Sequence, residues 1–271
     1  QEMILDPIVN ATRKSLAMRK SQLPLSEIER AARRQTSPRD LVGALQGDNI
    51  RLIAEVKRAS PSKGLLCANL DAASLARTYA RSGAAAISVL TESEYFLGSY
   101  ADLEAVRTKV NLPLLCKDFI VDNYQIYEAR AHSADAILLI TAVLTQVELE
   151  ILSETAYSLG MAALVEIHNQ DELIKALKIS HRIIGINNRN LDDFSVDLET
   201  TVRLRHLIPS SLVVVSESGI RTCDDVLRLR EAGVNAILIG EALVTSTDPA
   251  AKIAELMGKS IKSNKQQETA V

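Results

Sequence analysis

The sequence predicts an α/β fold: a closed TIM (β/α)8 barrel carrying an N-terminal helical extension. Three observations point there. Eight apolar, β-branched runs alternate along the chain with helix-period segments. Most of those runs are almost continuously apolar, as strands are when both faces of a parallel sheet are covered. The length of 271 residues suits one barrel of roughly 250 residues better than two small domains. An open doubly wound sheet is the competing layout, but the G-x-G-x-x-G turn of such a sheet is missing after the first apolar run.

The extension comes first. "ILDPIVNATRKSLAMRK" and "PLSEIERAARR" read as two amphipathic helices separated by Pro24. Ser26 with Glu29 forms a capping-box pattern for the second. The predicted strands then follow at 52–57, 85–91, 113–117, 135–140, 162–167, 183–187, 212–217 and 236–240. Helical repeats lie between them. Leu75 and Tyr79 lead into a Ser82-Gly83 stop, and Val226 and Leu229 into an Ala232-Gly233 stop. Residues 1–259 are expected to form one barrel domain, with 1–48 as the extension. The polar tail 260–271, "SIKSNKQQETAV", is expected to be disordered.

Composition removes several function classes. Apolar residues make up 47% of the chain and charged residues 24%, enough to build a large core. A net charge of -3 and an aromatic content of 3% without tryptophan argue against a nucleic-acid partner. The basic pairs Arg13-Lys14, Arg19-Lys20 and Arg33-Arg34 read as solvated helix faces. Cys67, Cys116 and Cys223 are odd in number and widely spaced, which suits a reducing compartment and no disulfide framework. His132, His181 and His206 have no paired ligand, so no metal site is expected. No signal-peptide pattern stands in the first twenty residues, and no apolar run approaches the ~20 residues of a membrane span. A cytoplasmic protein without a membrane partner is the expectation, as a monomer or weak homo-oligomer.

A barrel places its active site at the C-terminal ends of its strands. The first predicted strand ends in Glu55 and Lys57, the third in Lys117-Asp118, and the fifth in Glu166 followed by His168. The sixth ends in Asn187-Asn188-Arg189, the seventh in Ser216-Glu217-Ser218-Gly219, and the eighth in Gly240-Glu241. Strand side chains alternate in and out. Glu55 and Lys57 therefore share the inward face, while Ala54 and Val56 face the helices. A Glu–Lys pair could simply plug a barrel end with a salt bridge. Buried charges at several strand ends, however, cost several kcal/mol each unless paired, and a barrel needing only stability could use Val or Leu there. Neighbouring ammoniums would depress each other's pKa, making a lysine a usable acid near neutrality. "SESGI" and "IGEAL" follow the seventh and eighth strands. Their glycines and helix starts suit a phosphate cradle, the alternative being plain tight turns. His168 reads as a hydrogen-bonded loop residue, or one supporting the site from behind, rather than a catalyst, and Arg58 and Lys63 as solvated or lid-associated flanks of the first loop.

"IAEVKRASPSKG", "LLCKDFIVDNYQIYEAR", "ALVEIHN", "IIGINNRNL" and "VVVSESGI" resemble, in order, the signature segments of the indole-3-glycerol phosphate synthase family. The resemblance runs from about Ile4 to Met257. It implies a tryptophan-biosynthetic lyase. Its substrate, 1-(2-carboxyphenylamino)-1-deoxyribulose 5-phosphate, would be closed to indole-3-glycerol phosphate with loss of carbon dioxide and water. No metal or organic cofactor is implied. Lys117 matches the general acid of ring closure, and Lys57 the lysine that contacts the carboxylate and phosphate side of the substrate and can serve as acid in dehydration. Glu55 and Glu166 match two carboxylates, one a base in dehydration and the other a stabiliser of cationic intermediates. Asn187, Arg189, Ser60 and Glu217 match substrate-facing positions. Ser218, Gly219, Gly240 and Glu241 fall at the phosphate, and Phe96, Phe119, Leu138 and Leu191 at an apolar slot for the aromatic ring. Glu241 departs from relatives with serine there, so its backbone N–H would bind. The alternatives are a Schiff-base aldolase using Lys117 and a non-catalytic phosphate-metabolite barrel. Phosphoribosylanthranilate isomerase would need a cysteine where the first strand carries Glu-Val-Lys.

Overall fold

The computed structural model describes residues 5–191 and 193–259, so the predicted disorder of 260–271 lies outside the described residues. Eight parallel strands close into a barrel. They are β1 (Arg51–Val56), β2 (Ala86–Leu90), β3 (Leu114–Lys117) and β4 (Ala136–Ile140). The circle continues with β5 (Ala162–Ile167), β6 (Ile183–Asn187), β7 (Val213–Glu217) and β8 (Ala236–Ile239). Each pairs with the next, and β1 pairs with both β2 and β8, which leaves no open edge. All eight predicted strands are present, with ends within two residues of expectation.

Alternation along each strand builds two cores. Leu52, Ala54 and Val56 of β1 pack outward against the helix layer, whereas Ile53 joins Leu115, Leu138, Leu164, Val215 and Leu238 inside the barrel. The outward prediction for Ala54 and Val56 therefore holds. Helices start where a short polar side chain takes up a free backbone N–H, as Asp71 does for α4 (Ala72–Arg81) and Ser99 for α5 (Tyr100–Arg107). Thr145 and Thr222 go further and form complete capping boxes for α7 (Gln146–Ser158) and α10 (Cys223–Glu231). Gly83 and Gly233 end α4 and α10 at φ of +100° and +84°, the left-handed conformation that favours glycine.

Ahead of the barrel stand α1 (Leu5–Gln22), α2 (Leu25–Arg34) and the short α3 (Leu41–Ala44). Leu41, Val42 and Leu45 join the interior cluster just before β1, whereas Leu5 and Ile8 join it from α1. The capping box expected at Ser26 and Glu29 does not form. Pro24 is the N-cap and bonds no backbone N–H through its side chain. The helix opens at Leu25, so Ser26 already lies inside the first turn. Glu29 instead pairs with Arg33 at 2.8 Å. Arg19 and Lys20 also depart from the solvated-face reading. Arg19 reaches Glu128 at 2.8 Å and Lys20 reaches Asp122 at 2.5 Å, tying α1 to the segment that opens and forms α6 (Asn123–Ala131). Among the described residues, no helix is long and apolar enough to cross a membrane.

Candidate active site

The inward residues at the top of the odd strands converge. Side chains from alternate strands of such a barrel share one layer. Here the top layer is Glu55 from β1, Lys117 from β3, Glu166 from β5 and Glu217 from β7. Lys117 Nζ lies 3.4 Å from Glu166 Oε2 and 3.1 Å from Glu217 Oε2. Lys57 Nζ lies 3.0 Å from Glu55 Oε1, completing the pairing proposed for that first strand end. Glu55, Glu166 and Glu217 are only 4%, 3% and 2% exposed, so their partners are internal.

The even strands make room for this layer. Gly185 on β6 sits beside Glu166 of β5 in register, and a Cβ there would meet Glu217 Oε1 at 2.3 Å and Leu164 Cδ2 at 2.4 Å. A Cβ on Gly240 would meet Glu55 Oε1 at 2.5 Å. Glycine at 240 thus serves the carboxylate as well as the turn. Ser88 on β2 lies opposite Glu55 and donates to it at 3.3 Å.

Electrostatics divide the carboxylates. Burial works against the charge of Glu55, but Lys57 and Lys117 outweigh it and lower its pKa. Burial is likewise overcome at Glu166 by Lys117, His168 and Asn187, which hold it ionised. At Glu217 burial wins, helped by the charge of Glu166, and the pKa is raised against the pull of Lys117. Lys117 contradicts the expectation of a depressed lysine. Burial does push it down, but Glu217, Glu166 and Glu55 together raise it well above its ordinary value. A neighbouring ammonium is legible in the sequence, but the three carboxylates that surround Lys117 come from strands far apart in the chain.

All sixteen predicted site residues line one cavity of about 460 Å³ at the mouth of the barrel. Its size fits a small-molecule ligand. Its apolar wall is Phe96, Phe119, Leu138 and Leu191, with the two phenylalanine rings 6.0 Å apart and tilted. Asn187 faces Glu217 across β6 and β7, and Arg189 follows it into the loop. Ser60 belongs to a small antiparallel hairpin, Ala59–Ser60 with Gly64–Leu65, that rises after β1.

The far wall has the form of an anion cradle. Ser218 and Gly219 both have positive φ, +69° and +82°, so the chain turns sharply as it leaves β7 beside the cavity. A side chain at Gly219 would strike Val196 Cγ1 at 2.3 Å. After β8, α11 (Glu241–Val244) begins at Gly240 without any side-chain cap. Gly240 and Glu241 therefore present first-turn N–H groups at the cavity wall.

Some lining residues escaped sequence reasoning. Leu5 and Ile8 reach the cavity from α1, and Phe194 and Val196 from the loop after β6. Nothing in local spacing marks them, since the tertiary fold brings them in. Of the two readings of Arg58, the structure takes the loop-associated one over the solvated one. It pairs with Asp102 at 2.7 Å and donates to Leu97 O and Leu70 O, joining the first loop to the one that carries Phe96. Among the described residues, no group of three or more His, Cys, Asp or Glu could hold a metal ion.

Charged acid–base groups at the strand ends, beside an anion cradle after β7 and β8, define a (β/α)8-barrel enzyme for a phosphorylated metabolite. The family model described as indole-3-glycerol phosphate synthase matches residues 5–256. A protein of that name from Dehalococcoides mccartyi is 49% identical over 259 residues, covering 94% of this chain and 100% of its own. Indole-3-glycerol phosphate synthase 1 of Streptomyces coelicolor is 46% identical over 254 residues, covering 94% of each chain. The chain belongs to the indole-3-glycerol phosphate synthase family. Two more distant structures share the fold alone. Thiamine phosphate pyrophosphorylase from Pyrococcus furiosus has a TM-score of 0.61 at 18% identity, covering 81% of this chain and 96% of its own. The 3-hexulose-6-phosphate synthase from Salmonella typhimurium has a TM-score of 0.63 at 10% identity, covering 77% and 97%.

Proposed function

We propose that this mouth carries out the family reaction on 1-(2-carboxyphenylamino)-1-deoxyribulose 5-phosphate, with Lys117 as the acid of ring closure. The observation that carries the reading is the position of Lys117 Nζ, half-buried at the mouth between Glu166 and Glu217. The substrate's phosphate would rest on the N–H groups around Ser218, Gly219, Gly240 and Glu241, and its aromatic ring against the wall of Phe96, Phe119, Leu138 and Leu191. As the ring carbon attacks the ketone, a C–C bond forms and the carbonyl oxygen takes a proton from Lys117. The carboxylate then leaves as carbon dioxide, and its electron pair flows to the adjacent iminium. Finally the hydroxyl departs as water, with a lysine as acid and a carboxylate as base.

The three glutamates suit different parts of this sequence. Glu55 and Glu166, held ionised, face the cationic intermediates and stabilise them as fixed charges. Glu217, with its raised pKa, stands 3.1 Å from Lys117 and is the carboxyl suited to carry a proton near neutrality. Lys57 pairs with Glu55 and completes a second acid–carboxylate set for dehydration. A Schiff-base role for Lys117 is disfavoured, because its surrounding carboxylates keep the amine protonated and so non-nucleophilic. The reading also makes the chain a cytoplasmic enzyme that needs no cofactor, acting as a monomer or weak homo-oligomer.

The test mixes purified protein with the substrate and follows indole fluorescence, beside a Lys117→Ala variant. Signal from the parent and a loss of about 10³-fold or more in the variant is the expected outcome. A parent that binds the substrate without turnover would leave a binding barrel instead.

A further inference from the structure

We propose that His168 and Glu172 form a positioning pair for Glu166: Glu172 fixes the ring, and the ring fixes the Glu166 carboxylate from behind while Lys117 fixes it from the mouth. This rests on Glu166 being a working carboxylate of the site. His168 Nε2 lies 3.3 Å from Glu166 Oε1, on the oxygen opposite the one that meets Lys117. The approach is that of an ion pair, since Nε2 makes no well-directed hydrogen bond with any neighbour. His168 Nδ1 lies 3.0 Å from Glu172 Oε2, and the same oxygen accepts the His168 backbone N–H at 2.8 Å. Glu172 is fixed in turn, because its Oε1 accepts from Asn169 Nδ2 at 2.8 Å within the first turn of α8 (Gln170–Ala176).

Local chemistry sets the protonation of the ring. An ionised carboxylate can only accept hydrogen bonds. With one carboxylate facing each ring nitrogen, both nitrogens must carry protons. Burial works against that cation, but Glu166 and Glu172 outweigh it and raise its pKa to about 10. The His168 side chain is only 8% exposed and does not line the cavity, so it acts through Glu166 and not on substrate. Other groups also bear on Glu166: Lys117 from β3, Asn187 from β6 and Glu217 from β7. Lys175 bears on Glu172 from the same helix. Among the groups that bear on Glu166 itself, His168 therefore supplies the cation on the oxygen opposite the one that meets Lys117.

The experiment compares pH profiles of kcat and KM for the parent, His168→Asn, Glu172→Gln and Glu166→Gln. Removing the cation raises the pKa of Glu166, so the acidic limb of kcat should move up by about 1 unit. It should move in both His168→Asn and Glu172→Gln, with kcat down about tenfold and KM within about twofold. Imidazole ¹⁵N spectra give a readout independent of turnover. The His168 signal, identified by its absence in His168→Asn, should be doubly protonated at pH 8, where an ordinary histidine is neutral. Profiles that superimpose on the parent while Glu166→Gln is inactive would overturn the pair and leave the reading of Glu166 intact. A neutral His168 tautomer at pH 8 would also overturn the pair. A fully active Glu166→Gln would overturn both the pair and the reading beneath it.

Discussion

Glu217 sits where its charge is opposed from three directions. Burial and the charges of Glu166 and Glu55 raise its pKa, and Lys117 recovers only part of that cost. A carboxyl with a raised folded pKa contributes stability that is complete below its unfolded value and lost as pH rises through the folded one. Glu217→Gln is therefore expected to be more stable than the parent at pH 8 and much less active, measured by urea unfolding and turnover together. The neighbouring glycine makes a separate point. Gly185→Ala would drive a methyl into Glu217 and Leu164. Overpacking of that kind costs about 1–3 kcal/mol, and it should lower kcat more than KM because the carboxylate is displaced. His168 is the third case. Its stabilising contacts are complete below about 6.5 and lost as pH rises through about 10. The stability gap between the parent and His168→Asn should therefore close as pH is raised through about 10. These residues were legible as polar strand ends. Their protonation was not, since it depends on which strands meet across the barrel.

Among the elements, α1 does more than its sequence promised. Its period marks an amphipathic helix, and its basic end reads as a solvated face. In the fold, Arg19 and Lys20 dock on α6 and its N-cap, while Leu5 and Ile8 reach the cavity. Ile8→Ala should raise KM about tenfold with kcat little changed, the signature of lost uniform binding worth about 1.4 kcal/mol. Arg19→Met leaves the buried Glu128 without its closest cation. A cost of about 1–3 kcal/mol is expected, read from the urea midpoint. The Ser26 capping box failed for a local reason. Pro24 starts the helix two residues earlier than the pattern assumed, and a two-letter motif cannot reveal where the first turn begins.

At the scale of the whole molecule, closure of the sheet couples the charged layer to stability. Glu55 and Glu166 have lowered pKa values, so their contribution is complete above the ordinary carboxylate value of about 4.5 and lost as pH falls through the lowered ones. The melting temperature should fall between about pH 4.5 and pH 2, and less steeply in Glu166→Gln, measured by circular dichroism. Because every barrel strand has two neighbours, the loss should appear as one cooperative transition and not as fraying of an edge.

Legible without coordinates were the strand count, the inward or outward sense of residues such as Ala54, Glu55 and Lys57, and the set of polar groups at the strand ends. These follow from the period of two and from turn chemistry, which are local. The sequence also carried the family resemblance, through long contiguous motifs. Tertiary structure alone decided that Lys117 would meet Glu166 and Glu217 rather than act beside a second ammonium. It placed Leu5 and Ile8 over the cavity, let Gly185 and Gly240 make room for carboxylates, and set His168 behind Glu166. Each of these depends on distances between residues far apart in the chain. A pKa, a steric allowance or a cavity wall is the sum of such distances, and no local pattern contains it.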